Sequence, residues 1–241
     1  LVVKTHKESG SRLITAVTPE EISIGSLRLY LQMPMETFKD PEYRKEYMFL
    51  LDASGSMSGR KFNEARRAVQ IALRNLSAGD QFNICAFGSD HVFFASEVVD
   101  YVQENIDLAD RWLTDLPMMG GTEILKPVRE VLDRRSKKEE VERELVMFLM
   151  TDGQVGNEAE ILRYVRSHNH GVHLMTFGID TAVNQYFIEE LALAGNGMSE
   201  LVFPGERIEE KVIRQFSRIH MPRLMDPVLK NPKGSELTVL P

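Results

Sequence analysis

Cysteine is nearly absent from this sequence: Cys85 stands alone among 241 residues. A single thiol cannot support an intrachain disulfide framework, and its position in an apolar run is that of a small core residue. Long apolar runs are missing as well. No stretch approaches the roughly 18 to 20 consecutive apolar residues that a membrane-spanning helix needs, and the opening LVVKTHKESGSR has no signal-peptide pattern. The first residue is Leu, so the chain reads as a fragment of something longer. Positive charge is in deficit: 29 Lys and Arg face 36 Asp and Glu, a formal net charge of −7, and the basic residues gather in no dominant patch. That excludes the electrostatic footprint of a nucleic-acid binder. Glycine and proline, at 16 and 10, are too few for a fibrous or low-complexity chain.

What is present is the composition of a folded globular protein, 43% hydrophobic and 27% charged, long enough for one α/β domain with flanking segments. Residues 1–46 read as a leader, strand-like at 12–17 and 23–33 and closing on a charged, proline-bearing linker. Residues 47–219 read as the main domain and 220–241 as a C-terminal extension.

Within the domain, short apolar runs alternate with stretches of helical period. Residues 47–51 (YMFLL) are nearly all apolar, the pattern of a strand buried on both faces of a parallel sheet. Ser58 is placed to cap a helix in which Phe62, Ala65, Val69, Leu73 and Leu76 recur at three- and four-residue steps. Further strands are predicted at 80–87, 92–95, 145–150, 172–177 and 200–203, and helices at 100–116, 124–132, 158–166, 182–193 and 208–219. Phe82 and Trp112 read as core. The alternation predicts an α/β fold, a doubly wound and mostly parallel sheet flanked by helices on both faces. The mixed-charge run 134–144 reads as the solvated end of a helix. His168, His170 and His173 read as exposed residues near a helix end, not as a metal cluster.

In such a sheet, ligands bind outside the carboxyl ends of the strands, so polar residues directly after buried strands are the candidates. The run 47–51 leads into Asp52-Ala53-Ser54-Gly55-Ser56, and the run 145–150 into Thr151-Asp152-Gly153. Both carboxylates emerge on one edge, where they repel unless a cation, a shared proton or a basic group compensates them. The local donors are all oxygens, which suits a hard cation, Mg²⁺ first and Mn²⁺ or Ca²⁺ after it, and not zinc or copper. Alternate spacing of Asp52, Ser54 and Ser56 aims three side chains at one point, with Gly55 expected to permit the tight curvature. A partner's carboxylate would complete the coordination of such an ion.

These residues, together with Gly120-Gly121-Thr122, resemble the metal-ion-dependent adhesion site of von Willebrand factor A domains over roughly residues 47–218. The resemblance implies a metal held by Asp52, Ser54, Ser56, Thr122 and Asp152, and a protein or peptide partner that offers an Asp or Glu carboxylate. Phe177-Gly178-Ile179-Asp180, Leu191-Ala192 and Phe203-Pro204-Gly205-Glu206, with the tail at 219–229, are similar to inter-alpha-trypsin inhibitor heavy chains and their bacterial relatives. In those proteins a VIT domain precedes the A domain, which would make the leader the end of such a domain. An extracellular or cell-envelope location follows from the same likeness. Two other readings compete. One is a scaffold stabilised by its metal; the other is a metal-dependent hydrolase, disfavoured because the motif loops contain no Lys or His to assist Asp52 or Asp152.

Overall fold

The computed structural model describes residues 44–137, 143–169 and 171–219, and the backbone of four two-residue strands near the termini. Those four are β1 (Val2–Val3) with β2 (Ile14–Thr15), and β10 (Leu229–Lys230) with β11 (Glu236–Leu237), each pair antiparallel. They belong to a unit formed by Leu1–Asp40 and His220–Pro241, distinct from the unit Pro41–Ile219. The stretch 23–33 anticipated as a strand lies outside the described residues, as does His170.

The larger unit is a seven-stranded sheet among the described residues. Its centre is β3 (Lys45–Asp52), paired in parallel with β4 (Gln81–Phe87) on one side and β7 (Glu144–Thr151) on the other. Beyond β7 follow β8 (Val172–Ile179) and β9 (Ser199–Val202), both parallel. Beyond β4 lie two short antiparallel strands, β5 (His91–Phe93) and β6 (Val99–Asp100), which pair with its two ends. The two-residue β6 has too little sequence to carry a readable period.

Alternation along β3 sorts the core. Tyr47, Phe49 and Leu51 face one layer, where they meet α1 (Arg60–Leu73), α2 (Gln103–Asp115) and α6 (Ile208–Ile219). Met48 and Leu50 face the other, covered by α3 (Leu125–Ser136), α4 (Glu158–His168) and α5 (Gln185–Ala194). Each helix turns its apolar stripe to the sheet, as Phe62, Ala65, Val69 and Leu73 do in α1. A run of aromatic contacts ties α6 down, with Phe216 5.1 Å from Phe148 and Phe148 5.3 Å from Phe49 between ring centroids. Such pairs contribute roughly 0.5–1.5 kcal/mol each beyond the area they bury. Phe82 is fully buried and Trp112 packs at the margin of the same layer.

Several local expectations are corrected. Ser58 does not cap α1; the residue before the helix is Gly59, at φ +78°, a conformation open to glycine and costly for serine. The charge run ending at Glu144 is not solvated throughout. Arg135 is 4% exposed, lies 3.8 Å from Glu46 and donates to the Arg143 carbonyl, so its guanidinium is compensated inside the protein. Glu144 is held by Lys45 and by His173 Nε2 at 2.6 Å, which also removes His173 from the exposed set. His168 instead contacts the Ser167 hydroxyl and the Tyr164 carbonyl.

Candidate metal centre

The sheet reverses its winding between β3 and β7, and at that switch point the carboxyl ends of two neighbouring strands leave an opening. Asp52 ends β3 and Thr151 ends β7, with Asp152 one residue beyond. Asp52, Thr151 and Asp152 are all fully buried and Ser54 is 1% exposed. Carboxylates in such surroundings persist only with partners for their oxygens.

Asp52 has a partner on each oxygen. Its Oδ1 accepts from the Ser54 backbone N–H at 2.8 Å and its Oδ2 from the Thr151 hydroxyl at 2.6 Å. Thr151 in turn accepts from the Gly153 N–H at 3.0 Å, so one hydroxyl joins the two motif loops. Burial pushes the Asp52 carboxyl up, the hydrogen bonds from Ser54 and Thr151 oppose that, and repulsion from Asp152 adds to it. The net direction is upward, as for an acid short of compensating positive charge.

The first loop is anchored by Met57, fully buried in the core beneath it, and by the Gly55 N–H, which donates to the Gly120 carbonyl at 2.6 Å. Gly55 opens a short 3-10 turn and does not take a positive φ, so the tight curvature assigned to it is not a glycine requirement. The demand falls elsewhere. A Cβ on Gly88, at the end of β4, would sit 2.5 Å from the Met119 carbonyl oxygen, and Gly120 adopts φ +83° against Ser89. These glycines let the Gly120-Gly121-Thr122 loop lie against the strand ends, fixed by Ser89 N–H to Met119 O at 2.8 Å and Glu123 N–H to Gly88 O at 2.8 Å.

The Ser54 and Ser56 hydroxyls are 3.1 Å apart, Ser54 buried and Ser56 exposed. Thr122 is half-buried, joined to the first loop through the Gly120–Gly55 bond, and its hydroxyl makes no hydrogen bond among the described residues. Met118 is exposed at the rim while Met119 packs into the core, so the two methionines divide the roles of rim contact and filler.

Two residues of the site were not anticipated. Lys61, in the first turn of α1, donates to Asp152 Oδ2 at 3.1 Å and to Asp180 Oδ2 at 3.0 Å. Asp180 directly follows β8, and its Oδ1 accepts from the Thr181 N–H at 2.7 Å. Partial burial works against the Lys61 ammonium, but the bonds to Asp180 and Asp152 outweigh it and hold it protonated above the ordinary lysine range. The Lys61 bond in turn draws Asp180 below the usual carboxylate range. A sequence signal for Asp180 existed, since it stands directly after a buried strand just as the motif acids do. Lys61 had none.

The donor set fits a hard divalent cation. Asp52, Asp152, Ser54, Ser56 and Thr122 supply oxygen alone. Among the described residues no three His, Cys, Asp or Glu side chains converge as a metal cluster, so coordination here would draw on hydroxyl and water oxygens as well as carboxylates.

Residues 45–201 match the von Willebrand factor type A domain pattern, and the chain belongs to that family. It is 30% identical over 184 residues to a von Willebrand factor A domain-containing protein of Dictyostelium discoideum, covering 76% of this chain and 19% of that protein. The chain thus spans about a fifth of the length of that curated relative. Among solved structures, a von Willebrand factor type A protein from Catenulispora acidiphila superposes with a TM-score of 0.61 at 18% identity, over 73% of this chain and 42% of that one. Proximal thread matrix protein 1 from the mussel byssus, solved with a zinc-occupied MIDAS motif, gives 0.57 at 15% identity, over 74% and 48%. Type A domains generally serve protein–protein interaction, and many bind a divalent cation at a MIDAS site. Among the described residues no helix is long and apolar enough to cross a membrane.

Proposed function

We propose that this chain is a divalent-cation-dependent protein-binding module, in which the metal takes a carboxylate from a partner. The observation that carries the reading is a charge imbalance at one edge of the sheet. Among the described residues Asp152 and Asp180 share one hydrogen-bonded cation, Lys61, and Asp52 has only neutral donors, so the carboxylates of this edge outnumber their cations beside a cluster of hydroxyls. A divalent ion balances that excess.

Asp52, Ser54, Ser56, Thr122 and Asp152 would hold the ion, with Mg²⁺ first among candidates and Mn²⁺ or Ca²⁺ after it. The bound metal supplies a Lewis-acidic position for an anionic oxygen. Thr151 and the Ser54 N–H orient Asp52, and the Gly120 carbonyl holds the first loop beside the second. Met118 and the exposed Ser56 lie on the rim that an acidic Asp or Glu side chain of a protein or peptide would meet. An enzymatic role has less support: Lys61 is bonded to two carboxylates and raised in pKa, the opposite of a lysine prepared as a base.

The likeness to inter-alpha-trypsin inhibitor heavy chains and their bacterial relatives supports an extracellular or cell-envelope setting, with residues 1–46 contributing to a VIT-like domain. Calorimetric titration of Mg²⁺, Mn²⁺, Ca²⁺ and Zn²⁺ into metal-free protein and into Asp52→Ala tests the centre. Saturable binding is expected for the unaltered chain and none for the variant; no binding by either refutes the reading. Retention on beads carrying acidic peptides, in Mg²⁺ but not in EDTA, is the expected second result.

A further inference from the structure

Lys61 is the only cation hydrogen-bonded to the acids at this edge among the described residues, and it reaches both Asp152 and Asp180 from the first turn of α1. The bond to Asp152 engages Oδ2, while Oδ1 accepts from the Gln154 N–H at 3.2 Å. Asp152 is fully buried and Lys61 is 22% exposed at its side chain, so the ammonium lies between the buried acid and solvent. Asp180 is equally 22% exposed, and its other oxygen is fixed by Thr181. The ammonium is therefore shared between an acid inside the candidate metal site and an acid at its margin.

We infer that Lys61 is a resident counter-ion of the metal centre, a latch that holds Asp152 when no metal is bound, retreats onto Asp180 when one is, and so sets the cation concentration at which the site fills. The inference rests on the metal-binding reading above. Its physical basis is competition for one carboxylate. A dication that takes Asp152 displaces the ammonium or shares the oxygen with it, and two positive charges a few ångströms apart repel strongly in a partly buried setting. Asp180 lowers that cost by giving the displaced ammonium a second anion without unfolding the first turn of α1. No bond is made or broken other than hydrogen bonds, and no proton is released: Lys61 stays charged in both states.

The test is calorimetric titration of Mg²⁺ into the whole chain and into Lys61→Met, Lys61→Arg, Asp180→Asn and Lys61→Met with Asp180→Asn. Removing the ammonium tightens the Mg²⁺ Kd by about tenfold, while arginine, which keeps the charge, stays near the unaltered value. Asp180→Asn weakens binding several-fold, and does so much less in the Lys61→Met background because most of its effect passes through the lysine. A second readout needs no metal: in EDTA, Lys61→Met melts below the unaltered chain, and saturating Mg²⁺ closes the gap. A Lys61→Met Kd equal to or weaker than that of the unaltered chain overturns the latch and leaves the metal centre standing. Equal effects of Asp180→Asn in both backgrounds overturn it as well. Absence of binding by every protein removes the metal centre itself, and the latch with it.

Discussion

Thr151 offers the most direct measurement of how the site is held together. Its hydroxyl donates to Asp52 Oδ2 at 2.6 Å and accepts from the Gly153 N–H at 3.0 Å, and Thr151 and Asp52 are fully buried. Thr151→Val keeps the shape and the β-branch and removes only the oxygen. A hydrogen bond to a charged group contributes roughly 1.5–3 kcal/mol, and an orphaned buried N–H adds about 1 kcal/mol, so a loss of about 3 kcal/mol is expected in EDTA. Thr176→Val is the control, since that buried hydroxyl donates to a neutral carbonyl, Ile188 O, at 2.9 Å, for about 1 kcal/mol. Urea unfolding at neutral pH compares the two. Thr151→Ser should recover most of the difference. The penalty should also shrink as pH falls, because the Asp52 carboxyl, already raised by burial, rises further without its donor and is protonated sooner. Equal costs for Thr151→Val and Thr176→Val, or a pH-independent difference, would refute the assignment of Thr151 as the residue that holds Asp52 charged.

Three further outcomes are expected. Gly88→Ala places a Cβ 2.5 Å from the Met119 backbone, which cannot yield without moving the Gly120 loop; urea unfolding should show a loss of about 3 kcal/mol, with weaker Mg²⁺ binding by calorimetry. Tyr47→Phe removes a buried hydroxyl that has no hydrogen-bond partner among the described residues, and thermal unfolding should show a gain of about 1 kcal/mol. Burial pushes the Glu144 carboxyl up, but His173 and Lys45 more than offset this and bring it down to about 2, from an ordinary 4.5. Its contribution, roughly 3 kcal/mol, is therefore fully present above about pH 4.5 and is lost as pH falls towards 2; Glu144→Gln should flatten that part of the acid-unfolding profile.

The parts of the fold legible in the sequence were those governed by burial. A strand covered on both faces admits almost no polar residue, so the runs at 47–51 and 145–150 stood out, and the first polar residue after each was fixed at the sheet edge. Asp52 follows from that alone, and Asp152 stands one residue beyond Thr151, the first polar residue after the second run. The same rule applied to the strand ending at Ile179 reaches Asp180. Lys61 was beyond reach because its role depends on how far a long side chain extends from the first helical turn across the opening, a tertiary relation with no local period. The N-terminal cap of α1 fails for the opposite reason: Ser58 has the right chemistry, but it ends the preceding 3-10 turn, and Gly59, at a positive φ, takes the position before the helix. Arg135 and Glu144 looked like solvated charge because a mixed run gives no sign that Glu46, Lys45 and His173 converge on it from other strands.

The two ends of β3 show why one edge of the sheet is inert and the other suited to a ligand. At the amino end, Glu46 faces Arg135, Glu144 is held by Lys45 and His173, and Asp80 accepts from the Lys45 and Ser77 N–H groups at 2.9 and 2.8 Å. Each of these three acids has a partner, so they contribute to stability and require nothing from outside. At the carboxyl end Asp52 relies on neutral donors, and Asp152 shares its single ammonium with Asp180. Neutral donors satisfy lone pairs without cancelling charge, so burial carries the fully buried Asp52 carboxyl up, while Lys45 and His173 bring the less buried Glu144 down. An edge that folds with its charge uncancelled stores an affinity for cations. In the proposed latch the resident lysine moderates that affinity, and the second acid keeps the lysine from closing the site.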